Sequence, residues 1–198
     1  VHYVQGGTGN HTMYGSYSDG IYVFNLGDGQ DTIIERRTNE AYSNVLDSHD
    51  IIRFGAGIST ADIKYYRNNK DLILKHSNGT DQITIQNYFV EYSNLPMDHF
   101  KINEVQFADG TSLTSEQVEN SVIYMGTAQS DTLRGYRDRN ETFMAGNGDD
   151  TIIAGKGNDT LNGGAGNDQY HYYLDDGQDT IDQTGGGTDV LWLMDSGI

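Results

Sequence analysis

AGNGDDTII (Ala145–Ile153), AGKGNDTLN (Ala154–Asn162) and GGAGNDQYH (Gly163–His171) follow one another without a break. Each nine-residue unit has Gly at its second position (Gly146, Gly155, Gly164), Gly at its fourth (Gly148, Gly157, Gly166) and Asp at its sixth (Asp150, Asp159, Asp168). An α-helix would drift out of this register and would not tolerate so many glycines. A six-residue turn followed by a three-residue strand suits the period, with Gly admitting positive φ and close backbone approach in the turn. Two such units complete one coil, so residues 18 apart stack in parallel ladders about 4.8 Å apart. Asp then lies over Asp, and like charges at that distance are tolerated when a cation lies between them.

These units resemble the RTX (repeats-in-toxin) nonapeptide GGxGxDxUx, a calcium-binding repeat of parallel β-rolls. The resemblance implies Ca²⁺ as the cofactor. It also implies export through a type I secretion channel, which uses a signal at the extreme C-terminus, and a secreted, extracellular or cell-surface location.

Composition points the same way. The chain has 198 residues, a net charge of −17, 25 Gly, one Pro and no Cys. Its 29 acidic residues divide into 22 Asp and 7 Glu. Asp is a poor helix former, so the excess belongs in turns. Such acidity repels nucleic acid and anionic membranes. Without disulfides a secreted chain needs another staple, and metal supplies one. No charged-then-apolar N-terminal signal is visible, and no run of about 18 apolar residues suggests a membrane span.

The chain also repeats at larger scale. GIYVFNLGDGQDTI (Gly20–Ile33) matches DQYHYYLDDGQDTI (Asp168–Ile181) at an offset of 148 residues, and Asp50-Ile51-Ile52 matches Asp189-Val190-Leu191. Between those landmarks the first copy has nine extra residues, about Glu35 to Asn44, which fit either a decayed half-coil or an exposed loop. The second copy stops near the equivalent of Ile58, so the chain is expected to be cut from a longer one.

Residues 59–121 differ in character. Ile63–Tyr66, Asp71–Lys75, Asp81–Ile85 and Lys101–Phe107 read as strands, Asn78-Gly79 as a hairpin turn, and Ser115 with Gln117-Val118 as a short capped helix. DIIRFGAGI, DLIL, ITIQNYF and VQFADGT resemble the haemolysin-type calcium-binding related segment of RTX proteins. A folded module there would cap the exposed strand edges of a roll. The expected architecture is all-β: a degenerate RTX roll block with its closing strands (1–58), a β-meander capping module with a short helix (59–121), and a calcium-binding β-roll block (122–198) truncated before its own cap.

Position six gives a ladder of Asp131, Asn140, Asp150, Asp159, Asp168, Asp179 and Asp189. Turns alternate between the two edges of the roll. Asp131, Asp150, Asp168 and Asp189 therefore share one edge, and Asn140, Asp159 and Asp179 the other. Pairs Asp150–Asp168 and Asp159–Asp179, with carbonyls of the glycine turns, supply the hard oxygen ligands that Ca²⁺ takes. At Asp131, where the preceding turn has lost its glycines, and at Asp189, metal ligation and a solvated turn acid both stand. In the first block His11 and Gly20 occupy the Asp positions, leaving Asp31 as the orthodox candidate with Asp50 above it. Zero to two ions are expected there, and most of the several ions in the second block. The six His are scattered, without partners at transition-metal spacing.

No catalytic motif is present: GxSxG, HExxH, a Walker loop and a Cys nucleophile are all missing. The expected function is a non-catalytic, calcium-folding scaffold of a secreted bacterial toxin or adhesin. Two other readings stand. One is a glycan- or peptide-binding module using Tyr65, Tyr66, Tyr88, Phe89 and Tyr92, the other the C-terminal part of a secreted hydrolase or epimerase.

Overall fold

A computed structural model describes residues 1–16, 18–35, 48–89, 102–135 and 138–195. The extra segment of the first copy beyond Glu35, and Tyr92, lie outside the described residues. The chain divides into two units, Val1–Tyr65 with Lys70–Glu119, and Tyr66–Asn69 with Asn120–Ile198. Both are built from strands.

In the first unit the strands are β1 (His2–Gln5), β2 (Thr12–Tyr14), β3 (Gly20–Phe24), β4 (Gln30–Ile34) and β5 (Ile51–Phe54). The strand β6 (Ile63–Asn68) runs across the division, and β7 (Asp71–His76), β8 (Gln82–Ile85), β9 (Glu104–Gln106), β10 (Ser112–Thr114) and helix α1 (Ser115–Glu119) follow. Parallel pairing joins β1, β3 and β5 in one ladder and β2 with β4 in another. Successive strands thus alternate between two sheets, as a roll requires. Inward-facing Met13, Tyr22, Phe24, Ile33, Ile52 and Phe54 fill the space between them.

Both ladders continue past residue 58. β8 pairs in parallel with β4, and β9 in parallel with β5. Part of the segment expected as a separate meander is therefore a further coil of the roll. Antiparallel pairing enters only at the next strands, β7 on β8 and β10 on β9. Ile83, Ile85, Val105 and Phe107 close the core, and the Phe107 ring stacks on Phe54 at 5.3 Å. The helix cap is Thr114, one residue before the expected Ser115. Thr114 Oγ1 accepts the Gln117 amide (3.3 Å), and Gln117 Oε1 accepts the Thr114 amide (2.9 Å), a capping box.

The second unit contains β11 (Val122–Met125), β12 (Thr132–Arg134), β13 (Thr142–Asn147), β14 (Thr151–Ile153), β15 (Thr160–Ala165), β16 (Gln169–Tyr173), β17 (Thr180–Asp182) and β18 (Val190–Met194). Its two parallel ladders run β11-β13-β15-β17 and β12-β14-β16-β18. Thr142 pairs with Thr160, and Thr151 with Gln169, each a stack of residues 18 apart. The turn glycines make this stacking possible. Gly166 holds φ 139°, and a Cβ there would overlap the Gly148 carbonyl one coil away. Gly157 holds φ 140°, and a Cβ would overlap the Arg139 carbonyl.

The duplicated sequence folds twice into one turn. The Asn25 amide donates to Asp28 Oδ2 (2.8 Å), and at the equivalent place the Tyr173 amide donates to Asp176 Oδ2 (2.7 Å). The duplicates differ in what covers them. Phe54 is 2% exposed, whereas its equivalent Leu193 is 74% exposed. Truncating Phe54 to Ala should cost about 3–5 kcal/mol, the range for a buried aromatic, while Leu193→Ala should stay within about 0.5 kcal/mol. Urea denaturation of the two variants checks this, and equal losses would contradict it.

Candidate metal centre

The stacked turns place the position-six residues in two hydrogen-bonded columns. On one edge the Asp131 amide donates to Asp150 Oδ1 (2.7 Å), the Asp150 amide to Asp168 Oδ1 (2.9 Å), and the Asp168 amide to Asp189 Oδ1 (2.8 Å). On the other the Glu141 amide donates to Asp159 Oδ1 (2.7 Å) and the Asp159 amide to Asp179 Oδ1 (3.0 Å). Each acceptor carboxylate thus spends one oxygen on the preceding coil.

The other oxygen is the informative one. Asp150, Asp159 and Asp168 are each 1% exposed, and the Oδ2 of each is buried without a hydrogen-bond partner. Asp31 Oδ2 in the first unit is in the same condition. An ionised carboxylate oxygen left dry and unpaired is costly. Burial pushes the Asp159 carboxyl up to about 7, with Asp179 and Glu141 adding repulsion against the lowering by the Glu141 amide. Burial likewise raises Asp31, Asp150, Asp168 and Asp179. Such oxygens suit a hard cation. Among the described residues no three His, Cys, Asp or Glu side chains converge as a metal cluster. The stacked turns that carry these carboxylates are also the glycine-bearing ones. Gly146, Gly148, Gly155, Gly157, Gly164 and Gly166 all hold positive φ in those turns.

Asn140 does not stand in the position-six column. Its Oδ1 accepts the Asn158 amide (2.9 Å), and Asn158 Oδ1 in turn accepts the Gln178 amide (2.9 Å). This is an outer, position-five column. On the opposite edge Asp149 Oδ1 accepts the Asn167 amide (2.8 Å), and Asn167 Oδ1 the Thr188 amide (3.0 Å). Position six of the irregular turn is Glu141, a buried carboxylate whose Oε1 accepts the Tyr124 hydroxyl (2.6 Å). Counting back 18 residues from Asp159 reaches Glu141, so the period itself carried the signal. Asp131 is tied down differently. Its Oδ2 accepts the Thr127 amide (2.6 Å) and the Thr127 hydroxyl (2.8 Å), bonds made by the turn that lost its glycines. Asp189 lies half-buried immediately before β18.

In the first unit protein groups meet most of the same demands, Asp31 Oδ2 excepted. His11 occupies the Asp159 position; its amide donates to Asp31 Oδ1 (2.9 Å) and its Nδ1 lies 3.4 Å from the same oxygen. Asp50 is not above Asp31. It lies on the other edge, accepting the Gly20 amide on Oδ1 (2.6 Å) and the Ser48 hydroxyl on Oδ2 (2.8 Å). Asp81 Oδ2 accepts the Gly27 amide (2.6 Å) and the Asn78 side-chain amide (2.9 Å). Of the expected aromatic platform, Tyr65 and Tyr88 are core residues and Phe89 packs edge-on against Tyr88 at 4.9 Å. Tyr66 and Phe89 are half-buried.

Glu35 is buried with its Oε1 accepting the Tyr22 hydroxyl (2.6 Å), and burial, reinforced by Asp50, pushes it to about 7 from 4.5. Between those values the folded chain holds a proton that the unfolded chain has released. The resulting stability is complete below pH 4.5 and lost as the pH rises through about 7. In chelator, stability should therefore fall from pH 4.5 to 7.5, with Glu35 contributing about 3 kcal/mol at most. Glu35→Gln should flatten that part of the slope. Urea midpoints across the range check this, and stability rising with pH would contradict it.

Residues 71–117 match the family model of the haemolysin-type calcium binding protein related domain, and residues 136–170 match four copies of the RTX calcium-binding nonapeptide repeat. A curated relative, iron-regulated protein FrpA of Neisseria meningitidis serogroup C, is 35% identical over 128 residues, covering 65% of this chain and 10% of that protein. The chain thus spans about a tenth of that relative's length. A solved structure, the extracellular lipase LipA of Serratia marcescens, aligns with 99% of this chain and 31% of its own at 15% identity and a TM-score of 0.39. Among the described residues no helix is long and apolar enough to cross a membrane.

Proposed function

Since the chain belongs to the RTX, haemolysin-type calcium-binding family, we propose that it is a non-catalytic, calcium-folded segment of a longer secreted bacterial protein. The observation that carries the reading is the set of unpaired buried Oδ2 atoms at Asp150, Asp159 and Asp168 in stacked turns. In this reading Ca²⁺ is held by Asp150 with Asp168 and by Asp159 with Asp179, assisted by carbonyls of the turns around Gly146, Gly148, Gly155, Gly157, Gly164 and Gly166. Asp31 holds one further candidate position. Asp131, taken up by Thr127, and Asp189, half-buried, are the weaker candidates.

The physics makes calcium a folding signal. A chain of net charge −17 with 35% hydrophobic residues has little core to oppose self-repulsion. Each site held at roughly 100 times its Kd adds about 2.7 kcal/mol to the folded state, and several together decide whether the second unit is ordered. Low cytosolic calcium would keep the chain threadable through a type I channel, and external calcium would fold it outside. The parent's activity as toxin or adhesin would lie in its other regions.

Circular dichroism in chelator and in millimolar calcium tests the reading. The second unit should gain its β signal only with calcium, and a fully folded spectrum in chelator would overturn it. Asp159→Ala should shift the calcium midpoint at least about tenfold, the effect of losing one ligand interaction of about 1.4 kcal/mol. The same change should leave amide protection of β7 and β8 intact. Loss of protection in those strands would contradict the assignment of calcium dependence to the second unit.

A further inference from the structure

The second unit ends on an apolar surface. β17 and β18 are each the last strand of their ladder, so one edge of each has no neighbouring strand among the described residues. Leu191 pairs with Tyr170 in the column Leu133, Ile152, Tyr170, Leu191, whose middle members face the core. Leu191 is nevertheless 50% exposed, and Leu193, two places on along the same face, is exposed as well. With Leu161, Tyr170 and Ile181 these two residues line an open depression.

The duplication supplies the missing comparison. Ile33, Ile52 and Phe54 correspond to Ile181, Leu191 and Leu193. In the first unit all three are buried, Ile52 completely (0% exposed). What covers them is known strand by strand: β8 extends the β4 ladder and β9 the β5 ladder, bringing Ile83, Ile85, Val105 and Phe107 over the end of the core. The backbone is served too, since the Asp50 amide donates to Asn103 Oδ1 (2.8 Å) just before β9. Asp189 is the equivalent of Asp50.

We propose that the end of the second unit formed by β17, β18, Leu191 and Leu193 is a docking surface for a capping segment of the kind formed by β8, β9 and β10. The occupant adds one parallel strand to β17 and one to β18. Alternate apolar residues of its strands fill the depression, and a side-chain oxygen ahead of its second strand takes the Asp189 amide. Pairing of both edges and burial of both leucines remove the aggregation hazard of an open roll end. This inference rests on the duplicated module and not on where the metal sits, so it stands or falls apart from the calcium reading.

The test appends a second copy of residues 59–121 to the full chain after Ile198 and follows amide exchange in saturating calcium. Amides of Thr180–Asp182 and Val190–Met194 should exchange at least about 100-fold more slowly than in the unextended chain, as for strands moved from an edge to an interior position. L191S/L193S in the extended chain should abolish that protection. The same pair in the unextended chain should leave its melting temperature unchanged, because both side chains are already exposed. Exchange at 190–194 that is unaltered by the appended copy, whether or not the copy itself is ordered, would overturn the proposal. So would sedimentation showing the unextended chain as a dimer that L191S/L193S dissociates, which would give the surface to a second copy of the chain.

Discussion

A carboxylate buried in a stack must find a proton, a hydrogen-bond donor or a cation. Everything particular to this chain follows from that requirement. A coil repeat of about 4.8 Å stacks position six on position six, and the turn geometry points one oxygen of each Asp at the amide of the preceding coil. At Asp31, Asp150, Asp159 and Asp168 the second oxygen has no donor in the protein. Glycines at the second and fourth positions let the turns pack closely enough to create the problem.

The two units answer the requirement differently although they derive from one duplicated module. The second keeps Asp at consecutive coils, so its columns stay acidic and its carboxyls are raised by burial and mutual repulsion. The first has replaced Asp by His11 and Gly20 and uses Ser48, Asn78 and backbone amides to satisfy Asp50 and Asp81. Glu35 takes another route, its carboxyl pushed up by burial while its Oε1 accepts the Tyr22 hydroxyl. Residue identity at one position in nine therefore separates a unit whose buried acids mostly have protein partners, Asp31 Oδ2 excepted, from one in which Oδ2 of Asp150, Asp159 and Asp168 has none.

Much of this was legible from period alone. Nine-residue spacing with Gly and Asp in register specified parallel strands, alternating edges and the pairs 150–168 and 159–179, because stacking at 18 residues admits few alternatives. Before Thr142 the pattern is ambiguous, because Asn140 looks like a decayed Asp although the 18-residue count selects Glu141. The extension of the roll into β8 and β9 was hidden for another reason. Strands 82–85 and 104–106 have the alternation of any meander, and only their partners, β4 and β5, reveal them as coils. Pairing partners are non-local, and local pattern does not encode them.

Metal held by these carboxylates would relieve the repulsion within each column and favour the stacked turns. The location of the ions is the centre of the account. Anomalous scattering from crystals grown in calcium tests it most directly. Peaks should lie at calcium–oxygen distance, about 2.3–2.6 Å, from Oδ2 of Asp150, Asp159 and Asp168. Peaks confined to exposed acids such as Asp175 and Asp195, with those three oxygens uncoordinated, would contradict it.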